Sequence, residues 1–297
     1  MTAIGGADPT VVAAAVEPLV PRDNPSSLRA NLPLLMTIPE ILEELGFAQD
    51  GVATLTVETT DGETRTITPE ALPMTAFRDW IFGVYGDQFP VGFPPDEDGP
   101  AVQRQRDLEL WTEPLEGGGL YVGYNDVVQR SSDGTTIGAI ADRVDEASAA
   151  GLPVVIDLRN NPGGDNGTFL QLRQAVEDHA AAHPGEIALL TGRGTFSAAG
   201  NFVTDLEIGE HADAITLVGE SPGGGLNVWG NARVIDLPNS EIRVIIGSRP
   251  EVRAPNDPRT SIPVDIAAEA TWADFAVGRD PVLDAALAAI AEAGAGD

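Results

Sequence analysis

Three short, mostly apolar runs dominate the middle of the chain, and each ends in a turn rich in small residues. Residues 154–158 read VVIDL and pass into NNPGG. Residues 187–190 read IALL and pass into TGRGTFSAAG. Residues 215–218 read ITLV and pass into GESPGGG. Runs of four or five apolar residues without polar alternation suit strands covered on both faces. Between the first two lie Phe169, Leu172 and Val176, at helical spacing, and Ser197 opens a helical stretch to Glu207. Strands alternating with helices require an α/β core with a parallel sheet. The turns, with their small residues, then collect at one edge of that sheet.

The same alternation extends outward. Residues 120–124 form a strand, and Ile137, Ile140, Val144 and Ala147 share one helix face. Residues 234–237 and 242–246 suit a hairpin. Asp280 followed by Pro281 marks a helix start, with the helix running to about Ala293. The α/β core is therefore expected over residues 101–297. Residues 1–100 form a smaller α+β region. Within it, residues 2–4 suit a strand. Thr37 and Glu40 have capping-box spacing ahead of Ile41, Leu42 and Leu45. Leu55 and Val57 alternate with threonines, and Asp61-Gly62 turns the chain back through residues 64–68 as a hairpin. Residues 86–100, rich in proline, glycine and acid, read as a linker or domain boundary, with a surface flap as the functional alternative.

Charge narrows the partners. The 297 residues carry 46 acidic against 17 basic side chains, a net charge of −29, which repels nucleic-acid backbones and anionic membranes. All the basic residues are arginine. With no cysteine, disulfides, thiolate chemistry and cysteine-held metals are excluded. No apolar stretch approaches the ~20 residues of a membrane-spanning helix, and residues 1–6 lack the basic start of a signal peptide. Gly223-Gly224-Gly225 lacks the lysine and the spacing of a phosphate loop. No cofactor or metal is expected.

Ser197 sits where a strand turns into a helix. One reading makes it an N-cap. The other makes it a nucleophile, because Ala198, Ala199 and Gly200 admit close approach and the Ala198 amide can face a developing oxyanion. In the Asn160-Asn161-Pro162-Gly163-Gly164 turn, an amide of Gly164 or Gly163 can supply a second donor. Asp157 and Arg159 are placed to brace this turn by ion pairing. Of the three histidines, His179 and His183 lie at the end of a polar helix and read as solvated, and His211 reads as a loop residue.

DLRNNPGG, TFSAA, VGES-PGGG and the closing GRDPVLDAAL together resemble the tail-specific, C-terminal-processing serine peptidases. The likeness is greatest to the branch with the tricorn core and the interphotoreceptor retinoid-binding modules. It spans Leu110 to the end, and more loosely residues 23–46. The resemblance implies a Clp protease/crotonase-like spiral core. It implies Ser197 as nucleophile, Gly164 (or Gly163) and Ala198 as oxyanion donors, and Asp257 as the late carboxylate before an altered proline–aspartate motif, Pro263-Val264-Asp265. Gly163, Asn166, Gly224 and Gly225 would line the substrate. A peptide or protein would be that substrate.

One branch of the family uses a lysine, at about the position of Gly225, and this chain has none. The other branch uses an upstream histidine in an Asp-Gly-His segment, and the chain begins past that point. A shortened family member, with its general base missing and any export signal lost with it, is the expectation. Two other readings compete: a non-catalytic module binding peptides or apolar ligands on the same scaffold, and, third, a crotonase-like acyl-CoA enzyme.

Overall fold

The structure, a computed structural model, describes residues 1–59, 61–71, 97–239 and 243–295. The chain divides into two units, Met1–Pro94 and Pro95–Asp297. In the first, β1 (Ala3–Ile4) leads to α1 (Pro9–Val16), where Asp8 accepts the Thr10 amide and Pro9 supplies a preset φ. The next helix, α2 (Pro25–Leu35), starts at a reciprocal Asn24–Ser27 capping box. After it come α3 (Pro39–Glu44), β2 (Leu55–Glu58) and β3 (Thr64–Ile67). The strands form an antiparallel sheet in the order β1-β2-β3, with Leu55 opposite Ile67. Ile4, Val12, Val16, Val20 and Leu42 form the core of this unit.

The expected capping box at Thr37 and Glu40 is absent. Proline favours the first helical position, so Pro39 starts α3 one residue later and Ile38 becomes its N-cap, with no side-chain bond. The Thr37 hydroxyl instead donates to Leu34 O at 2.7 Å, finishing α2. Of the expected linker, residues 86–96 lie outside the described residues.

In the second unit, α4 (Ala101–Arg104) precedes β4 (Leu110–Pro114), β5 (Leu120–Tyr124) and α5 (Ile137–Ala149). The alternation continues with β6 (Val154–Asp157), α6 (Leu170–Ala182), β7 (Ile187–Thr191), α7 (Ser197–Glu207) and β8 (Ile215–Gly219). A long hairpin, β9 (Asn227–Asp236) and β10 (Arg243–Val252), follows. The chain closes with β11 (Ile266–Ala267), α8 (Trp272–Ala276) and α9 (Pro281–Gly294).

Six strands form one sheet in the order β11-β8-β7-β6-β5-β4, parallel except for β4 at the edge. This is the α/β core that the apolar runs require. The pleat splits each run between two layers. Val154, Ile156, Ile187, Leu189 and Leu217 pack with α5, α6 and α7 on one face. Val155, Ala188, Leu190 and Val218 pack with Val282, Ala286 and Ile290 of α9 on the other. Each fully buried leucine, isoleucine or valine contributes about 1.5–3 kcal/mol, so the sheet holds its turns on a rigid base.

Candidate active site

Strand direction sorts the chemistry. In a parallel sheet the connections after the strands gather at one edge, and there ligands bind in α/β folds. Residues following β6, β7 and β8 therefore meet: the Asn161–Gly164 turn, Ser197 and the glycines at 223–225.

Ser197 is the first residue of α7, and Phe196 is its N-cap, without a side-chain bond. The N-cap reading of this serine is thus corrected: its Oγ makes no capping bond, nor any other hydrogen bond among the described residues. Its backbone is also strained. Ser197 has φ of +52°, one of three non-glycine residues with positive φ among those described. The Cβ penalty there is roughly 1–2 kcal/mol, and strain of this kind concentrates at functional positions.

The glycine turn lies directly against this serine. A Cβ on Gly163 would come within 2.6 Å of Ser197 Cβ and 3.0 Å of the Ala198 amide nitrogen, so only glycine permits the approach. Gly163 and Gly164 have φ of +117° and +141°, which side-chain-bearing residues rarely adopt.

Backbone bonding distinguishes the two glycine amides. Gly163 N–H donates to Asn161 Oδ1 at 3.0 Å. Gly163 O accepts from Val127 N–H (2.8 Å), and Asp165 N–H donates to Val127 O (2.9 Å). Because the C=O and N–H of one trans peptide point in opposite directions, the Gly164 N–H, in the same peptide as Gly163 O, faces away from Val127, and it has no partner among the described residues. The Ala198 amide, in the first turn of α7, also has none. The turn after β6 and the start of α7 therefore each present one unpaired donor beside the serine.

Asn161, fully buried, ties these parts together. Its Nδ2 donates to Tyr124 O at the end of β5 (2.8 Å), its Oδ1 accepts from Gly163, and its O accepts Phe196 N–H (3.0 Å). Leu158 O accepts the Thr195 hydroxyl at 2.7 Å, a second tie between the two turns. A third is Asn166, whose Oδ1 accepts from Asn201 Nδ2 at 2.9 Å, one helical turn beyond Ser197. Asn201 is 2% exposed, and its own Oδ1 has no partner among the described residues.

The expected brace from Asp157 and Arg159 is present and larger than the local sequence implies. Arg159 pairs with Asp157 (2.5 Å) and with Asp280 (2.8 Å), the N-cap of α9, while Tyr121 donates its hydroxyl to Asp157 at 2.6 Å. Burial pushes the Asp280 carboxyl up, but the Arg159 hydrogen bonds and charge outweigh it and hold the group below its ordinary value.

The remaining predicted residues are placed as follows. Gly224 is buried between Phe196 and Val228, one residue from the serine, and Gly225 backs onto Thr260 O. Glu220, a carboxylate of the GESPGGG turn that the sequence places at the pocket edge, pairs with Arg193 at 2.7 Å, across the turns after β7 and β8. Asp257 is not brought to Ser197. Arg259 clasps it at 2.6 Å and also clasps Glu207 at 2.5 Å, the last residue of α7. Ten residues of helix put that end about 15 Å from the serine.

None of the histidines reaches the site. His179 Nε2 lies 3.4 Å from Glu186 O and His183 Nε2 lies 2.8 Å from Ser148 O, at the edge where the strands begin. His211 precedes β8 at that same edge. The length of β7, roughly 17 Å at strand rise, separates that edge from Ser197. The solvated reading of His179 is corrected: the residue is 0% exposed, because its helix face turns toward β7 and His183, with the two rings 5.1 Å apart.

A carboxylate not anticipated from the sequence also borders the glycine turn. A Cβ on Gly164 would lie 3.0 Å from Asp126 Oδ1. Burial raises the Asp126 pKa above its ordinary value, the Val127 amide opposes this, and Glu109 adds to it. Its position just past a buried strand, LYVGY, is the sequence signal that marks it.

No family model and no curated protein matches the sequence. Solved structures do match. The chain superposes on mature CPAF complexed with lactacystin with a TM-score of 0.59, at 15% identity, covering 99% of this chain and 78% of the other. Mature CPAF in a second crystal structure gives a TM-score of 0.52, 13% identity, and coverage of 99% and 77%. The chain shares that fold. A photosystem II D1 C-terminal processing protease matches at a TM-score of 0.40 and 16% identity over 80% of this chain and 62% of the other, too loosely to bear on the fold.

Proposed function

We propose that Ser197 is the nucleophile of an acyl-transfer site of the serine-peptidase type, with the Gly164 and Ala198 amides as its oxyanion hole and a peptide or protein as substrate. The observation that carries this reading is a strained serine, its hydroxyl unbonded, packed against a glycine turn, with an unpaired amide in that turn and another at the start of its own helix. Attack of Oγ on a carbonyl carbon moves the carbonyl electrons onto oxygen. The two N–H groups and the positive end of α7 receive that charge. Collapse of the tetrahedral intermediate expels the leaving group and leaves an acyl ester on Ser197.

With no lysine in the chain and the histidines at the opposite edge, the serine proton passes to solvent water as Oγ attacks, and the leaving group departs as its anion or takes a proton from water. Oxyanion hole and binding alone retain roughly 10³–10⁴-fold over water. Substrates with good leaving groups therefore react, while peptide amides turn over slowly. A p-nitrophenyl ester of a short acyl peptide tests this. The expected result is a burst of nitrophenolate with the acyl group on Ser197, and none in Ser197→Ala. An equal release by both proteins would overturn the reading.

One observation favours the binding-module alternative. The first unit contains an apolar cavity of about 480 Å³, lined by residues including Ile4, Met36, Leu42 and Leu55, within the usual size of small-ligand sites. Saturable binding of a fatty acid, together with no acylation of Ser197, would favour that alternative.

A further inference from the structure

Asp126 stands at the glycine turn with its carboxylate uncovered. The segment that carries it is locked to that turn: Val127 bridges Gly164 in parallel register, and Val127 N–H donates to Gly163 O at 2.8 Å. Gly164 itself is exposed. A Cβ there would stand 3.0 Å from Asp126 Oδ1 and 2.2 Å from Val127 O, so the position admits only glycine, and no side chain screens the carboxylate from that side. The residue whose amide is free near Ser197 thus also opens access to a negative charge.

Other enclosed carboxylates of this unit are neutralised. The buried Asp157, Asp274 and Asp280 each hold an arginine. Glu109, whose charge acts on Asp126, is committed to the Ser131 hydroxyl at 2.8 Å and the Ser132 amide at 2.9 Å. Asp126 is half-buried and has the Val127 amide alone, with no cation among the described residues. The Tyr124 hydroxyl, two residues back and fully buried, also lacks a partner among the described residues, and the Asp126 charge acts on it. A partly desolvated carboxylate is completed by a counter-ion, and here that cation comes from outside the chain.

We propose that Asp126 selects substrates with a lysine or arginine side chain on the acyl residue, the residue whose carbonyl Ser197 attacks. The proposal rests on the acyl-transfer reading given above. A carbonyl held by the Gly164 amide has its carbon within about 10 Å of Asp126 Oδ1. A lysine or arginine stem spans about 6–7 Å, and a charge-assisted hydrogen bond of about 2.8 Å completes the reach. Shorter side chains leave the carboxylate bare. Rate is affected as well as affinity. A bare carboxylate beside Gly164 opposes the negative charge growing on the oxyanion, and a bound cation cancels that opposition. The net charge of −29 also draws cationic substrates to the chain.

Two p-nitrophenyl esters test this, one of Nα-acetyl-lysine and one of Nα-acetyl-norleucine, which has the same stem without the ammonium. The burst rate is read on the full chain, with Ser197→Ala as the blank. The lysine ester should acylate about tenfold faster or more, the scale of one charge-assisted bond. Asp126→Asn keeps the side-chain shape and should bring the two rates together, slowing the lysine ester and speeding the norleucine ester. Equal rates in the unaltered protein would overturn the proposal, as would a lysine preference that survives Asp126→Asn. A burst from neither ester would remove the acyl-transfer reading, and calorimetry with Nα-acetyl-lysine methylamide then judges Asp126 separately. Binding that is lost in Asp126→Asn would keep the cation subsite, and no binding would overturn it.

Discussion

In the proposed site Ser197 would react and Asn161 would hold the glycine turn, and substitution separates the two. Ser197 carries strain that glycine lacks. Ser197→Gly should therefore be more stable than Ser197→Ala by about 1 kcal/mol, a difference readable by urea denaturation, while both lose acylation. Equal stabilities would mean that the positive φ at this position is not maintained in solution. Asn161 bonds Tyr124 O and Gly163 N–H from a fully buried position. Asn161→Ala leaves both without partners, and each orphaned group costs about 1–3 kcal/mol. Loss of stability should accompany loss of acylation, since the same bonds set the glycine turn against the serine. Ser197 could be singled out as a candidate from the sequence, because small residues follow it at the end of a strand–turn segment. Asn161 could not, because its role depends on three strand ends converging, and nothing local encodes that. Asp126 carried a local signal, its place just past a buried strand, but its nearness to Gly164 is a product of the β5–β6 pairing.

At the level of elements, the buried runs were readable because strands covered on both faces leave no polar alternation. The edge strand β4, LWTEP, lacks that signature, and proline is tolerated there only at an edge. The hairpin was expected to be short, yet it runs ten residues per strand, since its inner half mixes Val228, Trp229 and Val252 with glycine, proline and polar residues and carries no regular apolar alternation. Two buried groups give testable behaviour. Arg159 neutralises Asp157 and Asp280 inside the second unit. Arg159→Met should cost about 3–5 kcal/mol and reverse a pH trend. With the arginine, the Asp280 pKa is lowered, so its stabilisation is present above the ordinary value of 3.8 and is lost as pH falls below it. Without the arginine, burial raises the pKa against only the Leu283 and Val102 backbone bonds, and stability should fall as pH rises. Denaturation midpoints across pH 3–7, on the order of the carboxylate range, distinguish these. His179 behaves differently. Burial lowers its pKa below 6.5, the Glu186 carbonyl opposes this, and His183 lowers it further. The folded protein thus binds this proton more weakly than the unfolded chain. Its contribution is intact above 6.5 and declines as pH falls through the folded value. His179→Gln should flatten that acid-side decline in melting temperature. An unchanged decline would exclude His179 as its source.

For the whole molecule, topology makes the chemistry local. Residues scattered from 161 to 225 become neighbours because parallel strands deliver their following turns to one edge, and the histidines fall at the other edge by the same rule. The fold likeness to mature CPAF, at TM-scores of 0.59 and 0.52, is to the scaffold and carries no residue roles with it. The sequence resemblance implied a late carboxylate at Asp257. The structure commits that group to Arg259 at the far end of α7, a pairing invisible in spacing alone. The most direct test of the central claim is labelling of the full chain with a fluorophosphonate, followed by mass analysis of the arginine-bounded peptide, residues 194–233. Slow, stoichiometric phosphonylation of Ser197 that vanishes on unfolding is the predicted result, because the folded amides must be present to hold the developing oxyanion. No adduct on the folded chain, or one that forms equally on the unfolded chain, would contradict an assembled oxyanion hole at this serine.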